Sequence, residues 1–306
     1  MGKHAYLIMA YHQWELLEKL IGMLDDERND VFIHVDKKIK NVPFDEIANS
    51  ARRSRIFFAE RNNVHRLTFD LYEVTLNLLK TALRTGEYSY FHLITGQDLP
   101  LKNQDYVHDF FDKNEGKNFI DVVPLDLMKR HFRERISLYH FMVPYLAPNS
   151  KLYWPAKVIE KLTLTVQNWM GVNRIREYEK QGYQLRYGSA WFSITKEFAE
   201  FLTEKEEETR KVCKKWTYIP EESIPQSLLW NSRFRDSLFE EEWIDHDLKR
   251  ANLRMIFWSG KTSPETITME HVKLFKDTPN LFARKFDIVN HRDAVEAVER
   301  MVRDGE

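Results

Sequence analysis

Short apolar runs alternate with stretches of helical periodicity along the first 125 residues of the chain. Ala5-Tyr6-Leu7-Ile8-Met9-Ala10 reads as a strand. Trp14, Leu17, Leu20, Ile21 and Leu24 then recur at the three- and four-residue spacing of one helix face. Val31-Phe32-Ile33-His34-Val35 predicts a second strand and Ile56-Phe57-Phe58 a third. Leu71, Tyr72, Thr75, Leu78, Leu79, Ala82 and Leu83 define another helix face, and Tyr90-Phe91-His92-Leu93-Ile94 and Phe119-Ile120-Asp121-Val122-Val123 predict a fourth and a fifth strand. Strands interleaved with helices imply βαβ units and a largely parallel sheet covered on both faces. Ligands of such sheets bind outside the carboxyl ends of the strands. That rule selects His34-Val35-Asp36 and Thr95-Gly96-Gln97-Asp98-Leu99-Pro100, although Gly, Asp and Pro also punctuate strands with no function attached.

The texture changes after residue 125. Between Lys129 and Arg176 nine Lys and Arg residues meet only two acids, Glu134 and Glu160, a local excess of seven positive charges. Tyr139, Phe141, Tyr145, Tyr153, Trp154 and Trp169 are interleaved with them. Such a stretch suits an anionic lipid surface or an anionic acceptor; a solvated helix pair with ordinary core aromatics is the other reading. From residue 186 strand and helix signals return. Gly188-Ser189-Ala190-Trp191-Phe192-Ser193-Ile194 reads as a strand, and Thr195 as the N-cap of a helix through Phe198, Phe201 and Leu202. Tyr218-Ile219-Pro220-Glu221-Glu222-Ser223-Ile224-Pro225 sets two carboxylates between prolines ahead of a helix. Asn252 to Trp258 is a strand carrying Arg254, Leu281 to Asp287 is the last ordered run, and a charged helix closes the chain.

Composition narrows the classes. Lys and Arg number 46 against 47 Asp and Glu, a net charge of −1 that excludes a general polyanion binder such as a nucleic-acid domain. With 43% hydrophobic residues the chain can bury a sizeable core. No run approaches the roughly 18 apolar residues of a membrane span, and no secretory signal pattern opens the sequence, so a cytoplasmic protein is expected. Cys213 is the single cysteine, leaving no internal disulfide and no Cys-based metal site, and it reads as a small semi-buried hydrophobe. No glycine-rich phosphate cradle occurs, so the phosphates of any bound nucleotide must be held by something else.

Among 11 histidines no metal-ligand spacing appears, and the one D-x-D, Asp245-His246-Asp247, lies in a polar stretch that reads as an exposed turn. In an extended backbone Glu221 and Glu222 point to opposite faces, so only one can face a given cleft. A glycoside-hydrolase pair would need a second acid from elsewhere. A single glutamate acting as general base is the simpler demand, with helix capping and dipole complementation as the non-catalytic reading.

Taken in order, six segments resemble glycosyltransferase family 14, the core-2/I-branching β-1,6-N-acetylglucosaminyltransferases and peptide O-xylosyltransferases. They are Tyr6-Leu7-Ile8 through His12, Phe32-Ile33-His34-Val35-Asp36-Lys37-Lys38, Leu93 through Lys102, Gly188-Ser189-Ala190-Trp191-Phe192, Pro220-Glu221-Glu222-Ser223, and Leu281-Phe282-Ala283-Arg284-Lys285-Phe286-Asp287. The resemblance spans most of the chain and is poorest between about 126 and 185. It implies an α/β, modified GT-A glycosyltransferase fold with a Rossmann-like N-terminal half and a mixed central sheet. A single domain over 1–306 would comprise a nucleotide-sugar-binding half (1–125), a variable basic-aromatic insertion (126–185) and an acceptor and catalytic half (186–306).

The resemblance further implies inversion at the anomeric centre without the D-x-D metal. Fixed cations then neutralise the leaving diphosphate, and the family positions correspond to Arg254 and Lys285. Arg284 stands where the family often has a smaller polar residue. Glu222 takes the place of the catalytic base, with Glu221 orienting the segment or capping the helix. His34, Val35 and Asp36 occupy the part that receives uridine and ribose, and Gly96, Gln97, Asp98, Ser189 and Trp191 resemble walls of the sugar cleft. The missing cysteines of animal members suit a cytosolic, bacterial-type member. Asn62 to Thr68 lacks the Trp-Gly pattern of relatives, which leaves the donor sugar open.

The expectation is therefore an inverting, metal-independent transferase, with no cofactor, that moves GlcNAc from UDP-GlcNAc to a glycan hydroxyl in cell-surface polysaccharide synthesis. The basic segment would hold it at the inner membrane leaflet near a lipid-linked oligosaccharide acceptor, and no nucleic acid partner is expected. A UDP-xylose or UDP-galactose donor, a non-catalytic nucleotide- or glycan-binding protein, and a hydrolase built on Glu221 and Glu222 are the alternatives. The joint presence of Glu222, Arg254 and Lys285 argues against the binding protein, and the want of a second acid against the hydrolase.

Overall fold

The computed structural model describes residues 2–123, 130–146, 150–213, 217–240, 251–259 and 263–305, without the side chains of residues 130–132. Among them run β1 (His4–Ala10), β2 (Asn29–Val35), β3 (Arg55–Phe58), β4 (Tyr90–Thr95), β5 (Asp98–Pro100), β6 (Ser193–Thr195), β7 (Arg254–Ile256) and β8 (Phe282–Arg284). Five strands form the central sheet in the order β3-β2-β1-β4-β6, parallel except for β6, which runs antiparallel to β4. The other three form a second sheet, β5-β8-β7, with β5 antiparallel to β8 and β7 parallel to it. The α/β class and the mixed sheet are as the sequence predicts.

The alternation of side chains along β1 explains why its whole run is apolar. Tyr6, Ile8 and Ala10 join a core with helices Trp14–Leu24, Gln104–Lys113 and Arg292–Asp304 and with the second sheet. Ala5 and Leu7 point the other way, into a core with helices Asp70–Thr85, Lys196–Glu204 and Ile224–Trp230. Truncating a fully enclosed member such as Leu17 to Ala would cost roughly 2–5 kcal/mol. Thr195 caps Lys196–Glu204 as expected, its side chain accepting from the Phe198 N–H. Cys213 is half-buried, and burial pushes its thiol up to about 11.

Two strand expectations and one turn are corrected. Phe119–Val123 forms no strand. It makes only isolated bridges, Phe119 to Ser193 and Val123 to Tyr187, and between them the Asp121 carboxylate accepts the Asn252 N–H (3.1 Å). Of Gly188–Ile194 only the end is strand. The Gly188 N–H turns away to donate to the Glu222 carbonyl (2.8 Å). The Thr95–Pro100 motif is more than a turn: β4 ends at Thr95, Gly96 donates to the Met9 carbonyl (3.0 Å), and the chain crosses into the second sheet as β5.

Three buried histidines line the junction of the sheets. His92 lies 2.7 Å from Ser193 Oγ through Nδ1 and 3.1 Å from His4 through Nε2; His108 meets Asn29 Oδ1 at 2.9 Å and stacks on His4. Burial lowers the pKa of all three, that of His108 to about 4. Their folded pKa values lie below the unfolded value of about 6.5. Stability is therefore full above about pH 6.5 and is lost as pH falls toward the folded values, by up to about 1.4 kcal/mol per pH unit for each histidine. Thermal unfolding followed by circular dichroism at pH 7, 6 and 5 should show a falling Tm, with a shallower fall in His108→Gln. An identical slope in the variant would show that His108 titrates in the folded state.

Candidate active site

The carboxyl ends of the strands meet the end of β8 at one cleft, and Gln97 fixes the meeting. Its carbonyl accepts from the Phe286 N–H (2.9 Å), and its Nε2 donates to the Phe286 carbonyl (3.0 Å). Its Oε1 accepts from the Tyr11 hydroxyl at 3.4 Å. Lys285, one residue before Phe286, is thereby held beside the Tyr11-His12 turn that follows β1. Partial burial lowers its pKa, helped by the charges of Arg284 and Arg66. Burial also lowers that of His12, followed by the charge of Lys285, and the buried His12 Nδ1 has no hydrogen-bond partner.

Arg284 lies over the Trp191 ring, 4.3 Å from its centroid, with Nε 3.2 Å from Asp98 Oδ1. The pair is in ionic contact without hydrogen-bond alignment, so both atoms are unmatched although nearly buried. Burial raises the Asp98 pKa against the pull of Arg284. Unmatched polar atoms are uncommon in folded interiors, and three of them, on His12, Asp98 and Arg284, belong to the segments that meet here.

The glutamates sit on a 3₁₀ turn, Pro220–Glu222, and not on the extended segment the prolines suggest. Ile219 enters the left-handed region (φ 48°) and donates to the Leu67 carbonyl (3.0 Å), which folds the segment back. The two carboxylates consequently differ. Glu221 is buried, its Oε2 has no partner, and desolvation followed by the charge of Glu222 drives its pKa well up. Glu222 keeps 28% of its side-chain exposure and accepts from the Tyr187 hydroxyl at Oε2, with Arg135 Nη1 at 3.9 Å. Desolvation raises its pKa too, while Tyr187, Arg135 and Arg284 pull it down. Neighbouring Gly188 is irreplaceable on steric grounds: a Cβ there would lie 1.8 Å from the Asp121 carbonyl oxygen.

Arg284 is what joins the expected residues: it contacts Asp98 and Trp191, lies within electrostatic reach of Glu222 and adjoins Lys285, while Gln97 holds Phe286 just beyond. Ser189 flanks the turn, its carbonyl held by Gln226 Nε2 (2.7 Å). Other expected contacts are corrected. Arg254 is 1% exposed; its two terminal nitrogens donate to the carbonyls of Leu93, Phe192 and Asn252 and the Ser193 hydroxyl, and its buried Nε has no partner, so it is turned to the interior and not to the cleft surface. His34 is buried and its Nε2 accepts the Asn62 N–H (3.1 Å), and burial lowers its pKa to about 4. Val35 is also interior, with its carbonyl taken by Arg61 (3.1 Å). Both therefore position the segment after β3, and only Asp36 of that trio is partly open. Gly96 packs on Ala10 and forms floor, not wall.

Three residues escaped the sequence reading. Arg66 is exposed, and its charge reaches Glu221, Lys285 and Tyr218. Arg135 was visible only as one of the basic residues of the helical stretch, and Tyr187 only as the residue before Gly188. Among the described residues no three His, Cys, Asp or Glu side chains converge as metal ligands, and Asp245-His246-Asp247 lies outside them.

The family model for the Core-2/I-Branching enzyme matches residues 4–277, which include every side chain named in the cleft except the β8 end. The chain belongs to that family. The family 14 resemblance of the motifs therefore holds. Curated relatives include a human protein named "Probable beta-1,3-galactosyl-O-glycosyl-glycoprotein beta-1,6-N-acetylglucosaminyltransferase 7", 21% identical over 65% of this chain and 42% of its own. Xylosyltransferase sqv-6 of Caenorhabditis elegans is 32% identical over 39% of this chain and 16% of its own, and xylosyltransferase 2 of Rattus norvegicus 22% over 96% and 33%. The chain thus spans less than half the length of the relatives it matches.

The cleft depends on the close approach at Gly188. Gly188→Ala should destabilise the protein by about 3 kcal/mol or more in urea unfolding. Gly22→Ala, at a helical site with nothing within 4 Å of the new methyl, should be neutral or stabilising. Equal stability of the two variants would show that the 121–188 contact is loose.

Proposed function

We propose that this chain is an inverting glycosyltransferase that moves a sugar from a UDP-sugar, with UDP-GlcNAc the first donor to try, to a glycan hydroxyl without a divalent metal. Family membership supports the reaction class. The observation that supports the residue roles is the partly open carboxylate of Glu222, fixed by Tyr187, on the same cleft as Arg284, Lys285 and Arg66. In this reading Glu222 takes the proton of the acceptor hydroxyl as its oxygen forms a bond to C1 from the face opposite the diphosphate. The C1–O bond to the diphosphate breaks and UDP departs with the electron pair. Lys285 and Arg284, with Arg66 at the rim, neutralise that charge, the part Arg254 is too deeply buried to play. Trp191, under Arg284, offers an apolar face to the sugar ring.

A hydrolase would need a second carboxyl group across the bond, about 5–10 Å from Glu222, whereas Glu221 is buried beside it on the same turn. A binding protein would have no use for a desolvated carboxylate under a phenolic donor. The acceptor proposed is a glycan of a cell-surface polysaccharide carried on a lipid, worked on from the cytoplasmic side, and UDP-xylose and UDP-galactose are the other donors to test.

UDP release should occur in EDTA with at least one UDP-sugar in the presence of sugar acceptors; strict Mn²⁺ dependence would sink the cationic-clamp mechanism. Glu222→Gln should keep UDP affinity by calorimetry and lose about 10²- to 10⁴-fold in rate, whereas Lys285→Ala should weaken UDP roughly 10- to 100-fold. A near-wild-type rate for Glu222→Gln would place the base elsewhere.

The base must be ionised, so activity should fall as pH drops through the raised Glu222 pKa, above the usual carboxylate range. The Tyr187 hydroxyl holds that pKa down. In Tyr187→Phe the acid limb of the kcat/KM profile should therefore move to higher pH, and an unmoved limb would show that Tyr187 only supports the fold.

A further inference from the structure

Helix Tyr153–Trp169 buries its polar side and exposes its apolar one. Glu160 faces inward, with Oε1 2.7 Å from His140 Nδ1 and Oε2 accepting the Met142 N–H (3.0 Å). Gln167, also buried, clasps Tyr139 through its N–H and its carbonyl, both at 2.8 Å. On the opposite side Trp154, Val158, Leu162, Val166 and Trp169 follow one another at three- and four-residue steps, a single stripe along the helix. Trp154 is 70% exposed and Trp169 87%. Single exposed apolar residues are ordinary, but an unbroken stripe of five with a tryptophan at each end is not.

The charges beside the stripe say what covers it. Lys151, Lys157 and Lys161 are exposed at its N-terminal end and along one border, and the only acidic residue of the helix is the buried Glu160. A second copy of the same face would set lysine against lysine. An anionic lipid surface complements both features: tryptophans settle at the headgroup level, the apolar stripe enters the acyl boundary, and lysine stems lie along apolar surface with their ammonium groups on the phosphates. Among the described residues no helix is long and apolar enough to cross a membrane, so this one would lie in the interface.

We propose that helix Tyr153–Trp169 docks the protein flat on a bilayer containing anionic phospholipid. The docking stands apart from the transfer reaction, because it needs neither donor nor turnover. It also bears on that reaction: His140 reaches the Glu134 carbonyl (3.2 Å), which joins the docked helix to the one bearing Arg135 beside Glu222. The cleft is thus held at a set position relative to the lipid.

The test uses the full chain and vesicles of phosphatidylcholine, with and without about one quarter phosphatidylglycerol. The protein should co-sediment with the anionic vesicles, less with neutral ones and less at high salt, and its tryptophan emission should shift to the blue on binding. Leu162→Glu should lower vesicle affinity at least tenfold, and Lys157→Glu with Lys161→Glu by a similar factor. Both should keep the wild-type melting temperature, since the sites are exposed; if Leu162→Glu melts early, Trp169→Glu at the helix end replaces it. No binding to anionic vesicles, undiminished binding by the glutamate variants, or a lipid-free dimer in sedimentation equilibrium that Leu162→Glu dissociates would each overturn the proposal. None of these readouts involves sugar transfer, so they stand or fall independently of the enzyme assays.

Discussion

The guanidinium of Arg254 belongs to β7 in the second sheet, yet most of what it satisfies belongs to the first. It donates to the Leu93 carbonyl of β4 (3.5 Å), the Phe192 carbonyl (2.6 Å) and the Ser193 hydroxyl of β6 (2.9 Å), and it covers the Phe282 ring of β8. Burial lowers its pKa to about 10, which still leaves it charged at neutral pH. Both terminal nitrogens of this buried charge are used and only its Nε is left without a partner, and removing the side chain would strand several carbonyls at about 1–3 kcal/mol each. Ser193 also meets His92, and His92 meets His4, so the cross-link runs on into the parallel strands. The cleft lies where the sheets are clamped, with Asp98 supplied by β5, Arg284 by β8, and Lys285 just beyond it.

Inside the cleft, desolvation and charge pairing compete, and desolvation prevails at the carboxyl groups. Asp98, Glu221 and Glu222 all have raised pKa values despite nearby guanidinium groups. The distinction among them comes from access and donors. Glu222 alone combines partial exposure with a phenolic donor and two arginines within electrostatic reach, which oppose the desolvation that Glu221 meets almost unopposed. Arg284 serves both sides of the cleft, since it contacts Asp98, lies on Trp191 and still lowers the pKa of Glu222.

Strands β1, β2 and β4 were legible because each is buried on both faces and so reads as an unbroken apolar run; β3, at the sheet edge and only partly buried, was legible from Ile56-Phe57-Phe58 alone. Thr195 was legible because a capping hydroxyl is a local event. Phe119–Val123 has the same composition as a strand, but it pairs only through isolated bridges at its two ends, an outcome of tertiary packing that composition does not carry. The Glu221-Glu222 geometry turns on a positive φ at Ile219, which a β-branched residue does not advertise. Arg254 had a signal that pointed inward: an arginine between Leu253 and Met255-Ile256 sits in an apolar run, where a phosphate ligand would need solvent. Arg66, Arg135 and Tyr187 come from three distant segments, and only the folded chain makes neighbours of them. The basic-aromatic stretch was recognised by composition, yet which face of its helix is polar depends on what Glu160 and Gln167 find to bond.

The contact between Gly188 and the Asp121 carbonyl also governs how such a chain can diversify. It binds the backbone at 121, 188 and 222 to a tolerance of less than one methyl group, although these positions are far apart in sequence. Change is therefore cheapest in the helical stretch between them, which packs on the cleft from outside and shares none of that spacing. A lineage could rebuild that stretch repeatedly for new acceptors or new surfaces while the Glu222 carboxylate kept one and the same mounting.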